Sequence, residues 1–374
     1  MHTMVTVIVR LIITVFISLI LTPLVKLLAF RIGAVDVPGP RRINKKIMPT
    51  MGGLAIFCAF AFSTLILFDD LIPKSKLLPL LLGALIIVIT GIIDDVKELS
   101  PLKKMAGILI AACEIYFVAG VHFDSITLPI VGFLDLRFLS FPLTILWIVA
   151  ITNSLNFIDG LDGLASGVSI IALFTIGVIG YFFLTAANFY VAIIIFVLIA
   201  AIIGFFPYNF HPAKIYLGDT GALFLGFMIS VLSLQGLKNA TIISLITPML
   251  IMGVPITDTV YAIIRRFLSN RPIYSADKMH LHHRLISLGF THKGAVLTIY
   301  GLALIFSFVA LILSYNHSVW STVLLFVLVL VGLELFVELI GLMGPNRQPL
   351  MYVFKVFGNK EFREEQKKRW LKKK

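Results

Sequence analysis

Charge is what this chain of 374 residues has least of. Only 13% of its residues are Asp, Glu, Lys or Arg, against roughly 25% in ordinary soluble proteins. With 59% hydrophobic residues and a mean hydropathy of +1.03, that deficit excludes a water-soluble globular domain. Cysteine is almost missing. Cys58 and Cys113 fall in different apolar runs, so no disulfide framework is indicated. No internal repeat is visible, and low complexity is confined to the Lys-rich C-terminus. The first apolar run, 5–30, is too long for a signal peptide and no small-residue cleavage site follows it. Acids are outnumbered, 19 against 31 Lys and Arg, giving a net charge of +12. The basic residues adjoin apolar runs, which points to membrane topology and anionic headgroups and away from nucleic acid.

What is there is length of apolar sequence. A membrane-crossing helix needs about 20 apolar residues. Eleven such runs lie near 5–30, 51–69, 77–94, 102–120, 140–153, 163–184, 189–207, 220–237, 241–264, 294–315 and 319–343. The expected fold is an all-α polytopic bundle over 1–343, followed by a basic cytoplasmic tail, 344–374. Alternate loops are basic. Arg31 to Lys46, Lys97 to Lys104, Lys214, Arg265 to Lys293 and the tail form the rich set; Lys74, Lys76, Arg137 and Lys238 form the poor one. The positive-inside rule then puts the N-terminus outside and the C-terminus in the cytoplasm.

Polar residues are concentrated in five segments, 36–53, 94–104, 153–163, 208–221 and 265–293, and parity puts all five on the cytoplasmic side. The outer loops are bland, except 121–139, where alternating Ile126, Leu128 and Ile130 suggest a small hairpin. Ionisable side chains at membrane depth usually mark a ligand or substrate site.

Within the central segment, Asn156, Asp159 and Asp162 recur every three residues, along one side of a helical turn. Oxygen donors at that spacing suit Mg²⁺, which takes one or two carboxylates and leaves the rest to water and phosphates. An interhelical hydrogen-bond network is the plainer explanation. The Asp94-Asp95 pair is either a cation or phosphate site or a solvated helix end. Asp219 is a candidate ligand or a helix cap. Lys214 can contact phosphate or serve topology. His280, His282, His283 and Arg284 can donate to phosphate oxygens or ride on an interfacial amphipathic helix with Leu281, Leu285 and Leu288. Their spacing fits no common structural zinc site. Glu114, Asp258, Glu334 and Glu338 lie in apolar runs with no role evident from sequence. Together these parts fit phosphoryl transfer between a soluble nucleotide compound and a lipid phosphate, a reaction that depends on charge neutralisation and alignment.

Five motifs in order resemble the polyprenyl-phosphate N-acetylhexosamine-1-phosphate transferase superfamily. They are Asp36-Val37-Pro38 with Arg41-Arg42 and Pro49 to Gly53; Asp94-Asp95; Asn153 to Ala165; Asn209-Phe210-His211-Pro212-Ala213-Lys214 running to Gly221; and His280 to Arg284. The resemblance implies eleven spans, a cytoplasmic active site in the inner membrane, Mg²⁺ (or Mn²⁺) and a homodimer. It implies that Asp219 is the main metal ligand and Asn156 a second. Asp94, Asp95, Asp159 and Asp219 become the catalytic set, with Asp159 and Asp162 near the nucleotide. Asn153, Asn209, Lys214 and the histidine segment through Arg284 become substrate contacts. Lys45, Lys46, Lys103 and Lys104 are implied to steer the lipid phosphate. Asn44 and Glu98 depart from the usual His and Asp of the pattern.

The histidine segment resembles the branch using UDP-N-acetylglucosamine and undecaprenyl phosphate, which starts envelope polysaccharides. The alternatives are the muramoyl-pentapeptide branch and, from a different class, a nucleotide-sugar transporter. A transporter would place its polar groups near the midplane, often between repeats.

Overall fold

A computed structural model describes residues 4–38, 46–128, 132–183, 189–235, 240–268, 279–315 and 319–341. Lys45 and the basic tail lie outside the described residues. The helices in chain order are α1 (Met4–Ile32), α2 (Gly52–Phe62), α3 (Lys74–Lys97), α4 (Pro101–Glu114), α5 (Ser140–Ile158), α6 (Leu164–Phe183), α7 (Phe189–Asn209), α8 (Gly218–Gln235), α9 (Ile242–Ile251), α10 (Gly253–Leu268), α11 (Leu281–Ser287), α12 (His292–Tyr315) and α13 (Val319–Ile340).

Every apolar run is helical, but seven helices among the described residues are long and apolar enough to cross a membrane. They are α1, α3, α5 with its preceding turn, α6, α7, α8 and α12. The other four expected spans take different forms. α2 and α4 are short and each runs on into a π-helical turn, Ser63–Leu67 and Ile115–Ala119. The ninth run breaks at Met252 into α9 and α10. The last forms α13, with Glu334 and Glu338 near its end.

The fold is not wholly helical. β1 (Val35–Asp36) pairs antiparallel with β2 (Met48–Pro49). The hairpin expected in 121–139 is present, with β3 (Ser125–Leu128) antiparallel to β4 (Gly132–Asp135). β5 (Ala240–Thr241) adds to β3 in parallel, which sequence alternation did not reveal.

The core forms around α8, whose residues from Thr220 to Gln235 are all buried. α2, α3 and α5 pack on it. Two glycines permit the approach. A side chain at Gly53 would meet the Gly221 backbone, and one at Gly91 would meet the Thr220 backbone. Small residues let helix backbones come together where the hydrophobic effect gives helices little reason to associate. Hydroxyls add cross-helix bonds: Thr14 Oγ1 donates to Ser63 Oγ at 2.9 Å and Ser18 Oγ to the Ala201 carbonyl at 2.6 Å. The outward side is apolar, with Ile8, Phe16 and Leu24 of α1 exposed, as lipid contact requires.

Candidate active site

The N-terminus of α8 is where the elements meet. Helix starts leave backbone N–H groups without partners, and here a side chain from another helix supplies them. The Asp95 carboxylate, at the end of α3, accepts from Asp219 N (3.0 Å), Thr220 N (3.0 Å) and Thr220 Oγ1 (2.6 Å). That capping fixes the first turn of α8 and therefore the position of Asp219. Asp219 Oδ1 accepts from Lys104 Nζ of α4 at 2.7 Å and from Asn156 Nδ2 of α5 at 2.9 Å. Lys104 also forms an ion pair with Asp94, whose Oδ1 accepts from the Leu99 amide at 2.7 Å. Four helices thus meet at the start of α8.

Beyond Asn156, α5 ends and the chain turns through 159–163. Burial, then the charges of Asp219, Asp95 and Asp162, hold the Asp159 carboxyl well above the usual carboxylate range. Asp162 Oδ2 is bonded to His211 Nδ1 at 2.8 Å and accepts from the Ala213 amide at 3.1 Å. The Asp162 amide donates to His292 Nε2 at 3.0 Å, and the His211 and His292 rings stack at 4.2 Å. Asp162, His211 and His292 are close enough to share a metal ion, but their polar atoms already satisfy one another. Nearby, burial and then Asp162 push the Tyr216 phenol up.

Most of these groups, though not Lys104 or Thr220, line a cavity of about 500 Å³, within the usual range for small-molecule sites. Its wall draws on all five polar segments: Asp36 and Thr50, Asp94 and Asp95, Asn156 to Asp162, Asn209 to Asp219, and His283. Seven carboxylates (Asp36, Asp94, Asp95, Glu98, Asp159, Asp162 and Asp219) face it, out of 19 Asp and Glu in the chain. That concentration calls for a cation. The two loops that close the wall are tied by backbone: Gly52 N and Gly53 N donate to the Tyr216 and Leu217 carbonyls, and Tyr216 N to the Pro49 carbonyl.

Other expected contacts sit elsewhere. Asn153 Nδ2 bonds the Val149 carbonyl within its own helix at 2.8 Å. Asn209 lies on the wall but is held by Ser166 Oγ and the Ile215 carbonyl. Lys214 lies over the Tyr208 ring, its Nζ 5.8 Å from the centroid. Lys46 and Lys103 are exposed and outside the wall. Of the histidine segment, His283 alone lines the cavity. His280 pairs with Asp258, His282 is buried against Gly160, and Arg284 Nε donates to the Ile340 carbonyl at 2.5 Å. Sequence reasoning left out His292, Tyr216 and Thr220 as site residues. Tyr216 and Thr220 stood inside a polar motif, and His292 carried no signal beyond its place at the end of the 265–293 segment.

The sequence has relatives among known proteins. A family model described as glycosyl transferase family 4 matches residues 77–237. The chain is 40% identical over 354 residues to a Bacillus subtilis protein named probable undecaprenyl-phosphate N-acetylglucosaminyl 1-phosphate transferase, covering 94% of this chain and 97% of that one. It is 36% identical over 303 residues to a Mycolicibacterium smegmatis decaprenyl-phosphate N-acetylglucosaminephosphotransferase, 74% of each chain. An Escherichia coli undecaprenyl-phosphate alpha-N-acetylglucosaminyl 1-phosphate transferase is 29% identical over 310 residues, 80% of this chain and 83% of that one.

Proposed function

Because this chain belongs to glycosyl transferase family 4, we propose that it is the multi-pass membrane enzyme that moves N-acetylglucosamine 1-phosphate from UDP-N-acetylglucosamine to undecaprenyl phosphate. A lipid phosphate oxygen attacks the β-phosphorus. The bond from that phosphorus to the oxygen bridging it to the α-phosphate breaks, and UMP leaves with that oxygen. The product is undecaprenyl-diphospho-N-acetylglucosamine, the first lipid-linked intermediate of an envelope polysaccharide. The observation that carries this reading is the acid-rich cavity at the start of α8, built from all five polar segments.

The donor set fits Mg²⁺, or Mn²⁺ in its place. Asp219 offers a carboxylate beside the Asn156 amide, with further carboxyl oxygens of Asp94, Asp95 and Asp159 close by. Burial and the neighbouring acids hold Asp159 protonated without a cation, and a bound divalent ion would favour its ionised form. Hard cations take such oxygen ligands. When bound, the ion would neutralise the pyrophosphate and stabilise the departing UMP. The chain's own residues do the rest. Asp95 holds Asp219 in place through the α8 cap. Lys104, held between Asp94 and Asp219, would present a cation to an incoming lipid phosphate. Asp162, steadied by His211 and the Ala213 amide, faces the cavity where the nucleotide would sit.

Lys and Arg bias supports a cytoplasmic-facing cavity, and the family resemblance extends the proposal to the inner membrane and to a homodimer. Purified protein given defined lipid phosphates and separate UDP-sugars tests the reading. Label should enter lipid from UDP-N-acetylglucosamine. Entry from the muramoyl-pentapeptide donor alone, or uptake of intact UDP-sugar into vesicles without UMP formation, would overturn it.

A further inference from the structure

Asp258 has no part in the cavity, yet it is among the most deeply buried charged groups in the described chain, 1% exposed on α10. A carboxylate there is costly unless it is fully hydrogen-bonded. Its partners identify its task. Oδ2 is bonded to His280 Nδ1 at 2.8 Å and Oδ1 accepts from the Leu281 amide at 2.8 Å. His280 is the residue at the N-cap of α11, but its side chain makes no cap of its own. Asp258 therefore does for α11 what a capping side chain would do, from a different helix.

From that anchor the imidazoles run toward the cavity. The His280 and His282 rings are parallel within 4°, with centroids 6.0 Å apart. His282 and His283 follow at 4.2 Å, and His283 is on the cavity wall. The His282 ring packs against Gly160, where an added Cβ would meet it. Burial, then the neighbouring histidines, lower its pKa to about 3, so the middle ring packs as a neutral group. The far end of α11 is held separately. Arg284 Nε donates to the Ile340 carbonyl at the end of α13, and Tyr261 of α10 bonds Glu334 of α13. α11 is thus tied at one end to α10 and at the other to α13.

We propose that Asp258 is a positioning residue for donor binding: by gripping His280 and the Leu281 amide, it sets the register of α11 and so the place of His283 in the cavity. The inference rests on the transferase reading for its kinetic arm. It has a second arm that does not.

Kinetically, Asp258→Ala should raise the KM for UDP-N-acetylglucosamine about tenfold, the scale of losing a charge-assisted hydrogen bond that orients a contact. The KM for undecaprenyl phosphate should hold. Asp258→Asn keeps one acceptor and should fall between. In a His283→Ala background Asp258→Ala should add little, because the two substitutions act through one group. Additive effects, or equal changes in both KM values, would overturn the proposal.

Independently of turnover, His283→Cys in a chain lacking Cys58 and Cys113 can be labelled in membranes with a charged maleimide. Adding Asp258→Ala should change the labelling rate several-fold, and Asp258→Asn less. An unchanged rate refutes the positioning role even if transfer is confirmed. A changed rate with no transfer from UDP-N-acetylglucosamine would instead refute the transferase reading alone.

Discussion

Asp219 and Asp95 look alike in the sequence, two acids near helix ends, and the structure gives them different work. Asp219 offers its carboxylate to Lys104 and Asn156 at the cavity, whereas the Asp95 carboxylate is consumed by three donors of the α8 cap. Replacing Asp219 with Ala should lower transfer by roughly 10²-fold or more, the scale of losing a preorganised charge contact in a transition state. The protein should remain folded in the membrane; near-normal turnover would remove Asp219 from the proposed metal site. Asp95 should behave otherwise. Asn is as good a cap as Asp, while Ala is worse by about 1 kcal/mol. Here donors reach both oxygens, and Asn keeps only one acceptor, so Asp95→Asn should lose part of the turnover and Asp95→Ala more. Loss of all turnover in Asp95→Asn with thermal unfolding in detergent unchanged would make Asp95 a proton acceptor and not a cap. These roles were illegible in sequence because the partners lie 63 to 125 positions apart. What was legible was that acids and amides set in apolar sequence had to meet something.

Among the elements, α8 depends on small residues across its contacts. An added methyl at Gly91 would press on the Thr220 backbone, next to Asp219. Gly91→Ala should cost about 1–3 kcal/mol of stability, as overpacking commonly does. It should lower turnover more than its effect on thermal unfolding in detergent would explain. Equal effects on both would mean that α3 merely supports the bundle. The eleven apolar runs gave away the helices, since length and hydropathy are local properties. The π-turns after α2 and α4 and the break between α9 and α10 are set by packing, which apolar composition does not encode. Arg284 makes the same point. A cation beside three histidines suggested a phosphate donor, but its Nε is engaged by the end of α13.

For the whole molecule, pH reports on the histidine segment. His282 is neutral when folded, with its pKa lowered from 6.5 to about 3. The unfolded chain binds that proton near pH 6.5 and the folded one does not. The His282 contribution is therefore fully present above pH 6.5 and is lost progressively as pH falls toward 3. Thermal unfolding in detergent between pH 7 and 4 should show a decline that His282→Gln reduces. An identical slope in the variant would mean that His282 is not held neutral. The convergence of five distant segments on one cavity was foreshadowed by loop parity alone, since every polar segment fell on the same side. The cavity's walls, including His292 from α12 and Asp36 from β1, needed the folded chain.

The most direct measurement uses the purified full-length protein with undecaprenyl phosphate and UDP-N-acetylglucosamine labelled in the sugar, with Mg²⁺ supplied or chelated. Label should pass to the lipid and UMP appear in equal amount, only when the divalent ion is present. Transfer that persists in full under chelation, or release of UMP with no labelled lipid, would contradict a divalent-ion pocket joining donor and lipid at the start of α8.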